Sequence, residues 1–420
     1  MKPTEESHKL MSFFIKHNCL LQTKNTKKTN EIFKKFYQEI QNGVSYIENI
    51  KSKMGPSFYK LKVDHIQNVN QIPKPVTFPP NAFPSVIRNH IDEFALSVLT
   101  YSFHLFGRKI SIVFTTEEIH ALSEKYNNYV DWMLVWLYIV NEYASRNCAS
   151  HLKIFVYHTS LTKQLPQSNI EVLGEKHINT AFTRTCPTNA EIVVFRKEEW
   201  FKAFMHETFH NLGLDFSGID NTVCSKKILS IFPVNSDVNL YESYTEFWAR
   251  IMNALFCSYI YTSKNNINEF LKYAEFFIQF ELIYAFFQMV KILKFMDIEY
   301  KQLYEKSVIA ETVRNTLYKE DTSVLSYYII TLILLNNYQA FLSWCDTNNT
   351  SILQFKKTTA NIDEFCNFIG KKYKTKSMLD GIVCSQELLT KVKKMFTKSK
   401  KQNDLGYILQ NLRMTICELG

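Results

Sequence analysis

Three short β-branched runs lie in the middle of this 420-residue chain: Lys109-Ile110-Ser111-Ile112-Val113-Phe114, residues 152–158, and Glu191-Ile192-Val193-Val194-Phe195-Arg196. Runs of this length read as buried strands. A fourth extended piece is expected over 178–183. A long helical pattern starts at Thr116 and runs to about Ser145, with Val130, Met133, Leu134, Trp136, Leu137 and Val140 on its apolar side. Lys197-Glu198-Glu199-Trp200 then opens another helix, with acidic residues where the helix dipole favours them. The order is strand, helix, strand, strand, strand, helix. From about Val238 onward the pattern is helical, over 240–259, 267–296, 303–317 and 324–342. A chain built this way is α/β but α-rich, with one small mixed sheet and a mostly helical C-terminal part.

Five of the ten prolines fall within 73–84. Proline fixes φ and disfavours helix before it, so this stretch reads as an extended connector. The expected division is a helical N-terminal segment (1–72), the connector (73–84), an α/β part with a helical start over 85–106 (85–216), and a helical C-terminal part (217–420).

Only ten glycines occur; none stand at the spacings of G-x-G-x-x-G, and the one pair five apart, Gly213 and Gly218, is followed by Ile219-Asp220 where G-x-x-x-x-G-K-[ST] needs Lys and Ser or Thr. Dinucleotide-binding and P-loop readings are excluded on spacing. The nine cysteines are scattered singly without a C-x-x-C, which suits a reducing, intracellular setting better than a disulfide scaffold. The apolar stretch near the N-terminus is broken by Lys16 and His17, so no signal peptide is expected. Residues 322–345 lack charge, but Asn336, Asn337, Gln339 and Ser343 argue for a buried core helix and against a transmembrane one.

The second helix of the α/β part contains Met205-His206-Glu207-Thr208-Phe209-His210-Asn211-Leu212-Gly213. Residues four apart share a helix face, so His206 and His210 can hold one metal ion from one side. Glu207 lies beside that face, where its carboxylate can act as general base on a metal-bound water without ligating the metal. Gly213 stands where a helix can end in the left-handed conformation.

A tetrahedral zinc with an open position needs a third protein ligand. All eleven histidines lie at or before His210, and Phe216 occupies the position six beyond it. The remaining downstream donors are carboxylates: Asp215, Asp220 and Asp237, or Glu242 and Glu246. The two glutamates are four apart on an otherwise aromatic helix, where like charges repel unless they have different partners. A metal for Glu242 and a histidine N–H for Glu246 would resolve that repulsion. The reverse assignment and the aspartates remain open. Tyr244, Tyr259, Arg250 and His177 are candidate donors to an oxyanion, and spacing selects none of them.

H-E-T-F-H followed 32 residues later by Glu242-x-x-x-Glu246 resembles the gluzincin zinc metallopeptidases. The resemblance covers roughly 108–260 and implies a zincin-like fold, one Zn²⁺ per chain and a peptide or protein substrate lying along an edge strand. The stretches His177-Ile178-Asn179-Thr180-Ala181-Phe182-Thr183, Phe195-Arg196-Lys197-Glu198-Glu199-Trp200-Phe201-Lys202 and Arg413-Met414-Thr415 are similar to uncharacterised metallopeptidase-like proteins of large nucleocytoplasmic DNA viruses, which implies packaging in a virion. A glutamate at 246 and the absence of N-E-x-x-S-D depart from well-studied gluzincins and leave the substrate class open. The alternative is an inactive zincin-like protein with a structural or virion-associated role.

The net charge of +9 is local. Twelve lysines lie between Lys356 and Lys401 against Asp363, Glu364, Asp380 and Glu387, so the rest of the chain is nearly neutral. Such a patch reads as a solvated face or a dock for an acidic partner. Basic residues interleaved with aromatics, which a nucleic-acid module would need, are not evident.

Overall fold

The computed structural model describes residues 1–17, 24–398 and 402–420. Cys19, Lys400 and Lys401 lie outside the described residues. Two helices, α1 (Glu5–Lys16) and α2 (Lys27–Met54), are each capped by a threonine hydroxyl that accepts a backbone N–H. They precede a short strand β1 (Lys62–His65), α3 (Ser85–Phe94), β2 (Ser97–Leu105), β3 (Arg108–Thr116), α4 (Ser123–Asn141) and β4 (His151–His158). A two-residue strand β5 (Leu173–Gly174), a single turn α5 (Glu175–Ile178), β6 (Ala181–Thr183) and β7 (Asn189–Val194) lead into α6 (Trp200–Asn211). Beyond it come α7 (Thr222–Ile231), α8 (Leu240–Tyr261) and α9 (Ile267–Phe295); a further two-residue strand, β8 (Glu320–Asp321), is followed by helices to Gln410.

The architecture is mixed α/β. Six strands form one sheet in the order β1-β2-β3-β4-β7-β6, and β5 pairs separately with β8. The central strands β3, β4 and β7 are parallel, while β1, β2 and β6 run antiparallel to their neighbours. Parallel central strands are buried on both faces, consistent with their near-continuous apolar runs. One face packs on α4 and α6 and is continuous with the core of the helical half, from Leu10 to Leu419. The other face carries a second core in which Val113, Phe155, Tyr157 and Val193 meet Ile72, Phe83, Ile87 and Ile91.

Several sequence expectations need correction. Residues 85–106 are not one helix: α3 ends at Phe94, and β2 pairs with β3 along its whole length. The alternation Leu99, Tyr101, Phe103 is a strand signal, which pairing with β3 selects over local helix propensity. Likewise β1 falls within the segment expected to be helical. Thr116 ends β3 and does not start a helix, since α4 begins at Ser123. Of residues 178–183 only Ala181–Thr183 is strand.

The proline-rich stretch lies against the sheet. Glu191, 5% exposed, accepts the N–H groups of Val76 and Thr77, and Phe78 and Phe83 pack on Phe182.

Residues 322–345 are buried for the most part, but helix breaks at Asn336–Tyr338. Among the described residues the helix long and apolar enough to cross a membrane is α9, and 94% of its apolar 18-residue stretch is buried inside the protein. The cysteines also depart from expectation: Cys148 pairs with Cys186 and Cys224 with Cys366, at separations of 38 and 142 residues that only tertiary packing brings together.

Candidate metal centre

Helix α6 follows directly on β7, and a buried arginine holds the turn between them. Arg196 donates to the carbonyls of Asn179, Thr162 and Lys176. Glu198 and Glu199 do not serve the helix dipole as expected. Glu199 precedes the helix with φ +60°, a conformation that costs an L-residue about 1–2 kcal/mol. Its carboxylate offsets that cost by accepting the N–H groups of Met414 and Thr415 at 2.8 and 2.6 Å and the Lys163 ammonium at 2.7 Å. The C-terminal segment thereby fixes where α6 starts.

The other end of α6 is set by Gly213 at φ +67°. The Gly213 N–H reaches the His210 carbonyl at 3.0 Å and the Leu214 N–H reaches Phe209 at 2.8 Å, a Schellman closure. This reversal, two residues beyond the helix end, returns the chain so that Asp215 meets the Nδ1 of His210.

His206, His210 and Glu242 converge, each offering one ligand atom within 4.8 Å of the others. The two Nε2 atoms are 3.2 Å apart, and Oε2 of Glu242 is 3.0 Å from His206 Nε2 and 3.4 Å from His210 Nε2. A tetrahedral ion with bonds near 2.0–2.1 Å separates its ligand atoms by about 3.3 Å. The donor set therefore fits a metal ion of that size. Each histidine turns its other nitrogen to a carboxylate: His206 Nδ1 to Glu246 Oε2 at 3.0 Å, and His210 Nδ1 to Asp215 Oδ2. An Nδ1–H so engaged fixes the tautomer that leaves Nε2 free to ligate.

Glu246 is itself held by Lys202, which donates to both its oxygens at 3.0 Å, and by Arg250 Nε at 2.8 Å. Burial opposes its charge, but Lys202 and Arg250 prevail and keep its pKa well below the usual carboxylate range. Burial likewise disfavours a proton on His206 and His210. The carboxylates around them outweigh it and raise both pKa values; a metal ion would displace those protons.

Glu207 lines the same narrow cleft, 7% exposed, and makes no hydrogen bond with any described residue. Burial raises its pKa.

Asp215 is brought to the site as a partner of His210, whereas Asp220 and Asp237 are exposed. None of the four candidate oxyanion donors faces the cleft. The Tyr244 hydroxyl donates to the Leu353 carbonyl, Arg250 is committed to Glu246, Tyr259 packs on Tyr37 and Trp132, and His177 engages Gly174 and Glu171.

Sequence reasoning missed Tyr327, whose hydroxyl donates to Glu242 Oε2 at 3.0 Å from a π-helical stretch, Leu325–Ile330. Its position 85 residues beyond Glu242 leaves no local signal. Met414 of the C-terminal segment also lines the cleft, while none of the described residues among 1–84 does.

A scan against protein-family models finds no match for the chain, and comparisons with curated proteins and with solved structures find none either.

Proposed function

We propose that the chain is a zinc-dependent metallopeptidase of the zincin kind, with His206, His210 and Glu242 as ligands and Glu207 as general base. The observation that supports this most directly is the shared geometry of the four residues: three ligand atoms converge on one point, and a carboxylate with no hydrogen-bond partner among the described residues lies in the cleft beside them.

Zinc, when bound, supplies Lewis acidity toward a carbonyl and lowers the pKa of water toward about 7. The chain's own residues do the rest. Glu207 accepts a proton from the attacking water and returns it to the leaving amine, a role suited to a carboxylate whose basicity burial has raised. Glu246 and Asp215 hold the histidine rings in orientation. The Tyr327 hydroxyl is the neutral donor beside the ligands that can turn toward a developing oxyanion.

An edge strand gives the substrate a place. In the antiparallel pair the N–H of Phe195 bonds the carbonyl of Thr180, so by alternation the main-chain groups of Ala181 and Thr183 point to the free side of β6. An extended peptide can add there by main-chain hydrogen bonds.

Purified protein should carry about one zinc per chain, lost in His206→Ala/His210→Ala. Glu207→Gln should keep the metal and lose peptide hydrolysis. Full hydrolysis in that variant would remove the general-base role, and zinc retained in the double variant would remove the site.

A further inference from the structure

The cleft holding Glu207 and His206 has a volume of about 30 Å³. That is room for about two or three waters, and about a tenth of the smallest ordinary ligand pocket, about 300 Å³. A peptide laid on the β6 edge could bring its carbonyl fully into so small a cleft only if the walls moved apart. One wall is Ile178–Ala181, on the strand side; the other includes Tyr327, bonded to Glu242 on α8.

A direct tie between these two walls lies outside the sheet. β5 and β8 form a two-residue parallel ladder, pairing Leu173 with Glu320 and Gly174 with Asp321, and Thr322 Oγ1 donates to Asn179 Oδ1 at 3.0 Å. Gly174 lies six residues before Thr180 of the first wall, and Asp321 six before Tyr327 of the second. The ladder is two residues long: Leu173 is buried at 1% exposure and Glu320 accepts the Leu325 N–H, whereas Gly174, Asp321 and the adjoining Thr322 are all at least partly exposed, so it is the Gly174–Asp321 end that can open at low free energy.

We propose that this ladder is a latch: the β5–β8 pairing and the Asn179–Thr322 bond hold the cleft shut, and their separation admits an extended peptide segment while excluding folded proteins. What enters rests on the peptidase reading; whether the walls part does not.

The latch can be locked covalently. A Cβ built on Gly174 lies 3.8 Å from the Cβ of Asp321, the mean separation in disulfides. The test is the oxidised Gly174→Cys/Asp321→Cys variant, with the introduced bond confirmed by peptide mapping and the singly substituted proteins as controls.

Amide hydrogen exchange at Asn179 and Leu325, whose N–H groups bond Glu175 and Glu320 on either side of the ladder, should slow roughly tenfold or more on locking and recover on reduction. Transfer of zinc from loaded protein to a chromogenic chelator should slow in parallel. The opposite variant, Thr322→Val, should speed both. Slowed exchange in a locked protein that binds no zinc would uphold the latch and defeat the metal reading. Exchange at Asn179 and Leu325 unchanged by Thr322→Val, together with unchanged exchange in the double variant or failure of its thiols to join, would overturn the latch.

Discussion

The Nδ1 of His206 and the Oε2 of Glu246 stand 3.0 Å apart, with Lys202 and Arg250 on the far side of the same carboxylate. Glu246 is therefore both the orienting partner of a candidate metal ligand and an anion bonded to two buried cations, at 1% exposure. Breaking a buried ion pair by removing one partner costs about 3–5 kcal/mol. Glu246→Gln should lose stability of that order by denaturant titration, with zinc affinity falling about 10–100-fold. Asp215→Asn should show a similar loss of zinc affinity with a smaller loss of stability, because no lysine or arginine is paired with Asp215.

Gly213 should not tolerate a side chain. Its φ of +67° places any L-residue in the left-handed region, and a Cβ there would lie 3.4 Å from Cys148 Sγ and 3.5 Å from Cys186 Cβ. Gly213→Ala is expected to cost about 1–2 kcal/mol, read as a lower denaturant midpoint at unchanged slope. Gly213→Asn should cost less.

Glu198 gives the fold a pH dependence remote from the metal ligands. Burial raises its carboxyl from 4.5 to about 7, only partly opposed by Arg413 and the Lys163 N–H. Between those values the native state holds a proton that the unfolded chain has released. Its stabilisation is complete below about pH 4.5 and is lost as the pH rises through 7, a decline on the order of 3 kcal/mol. Glu198→Gln should flatten that part of the stability–pH curve, and an unchanged slope would show that Glu198 ionises normally.

The cysteine pairing is open to a direct chemical check. In unreduced, unfolded protein Cys148, Cys186, Cys224 and Cys366 should resist alkylation, while Cys384, the exposed thiol among the described free cysteines, should react in the native state. Reduction should lower stability by about 2–5 kcal/mol per bridge.

Local periodicity carried much of this protein. The spacing of His206 and His210 depends only on 3.6 residues per turn, and the end of their helix only on a glycine free to adopt positive φ. The apolar runs of β3, β4 and β7 announce themselves because both faces of those strands are buried. Beyond that range the chain's own order is silent. Helix spacing favours Glu242 over Asp215 along the sequence without deciding between them, and the approach of α8 to α6 brings Glu242 to the two histidines while Asp215 meets His210 Nδ1. β2 becomes a strand because β3 offers it a partner, and Glu199 takes a strained backbone because the C-terminal segment, more than 200 residues away, satisfies its carboxylate. Tyr327, the β5–β8 ladder and the two disulfides likewise join residues far apart in sequence, so they exist only once the chain has packed.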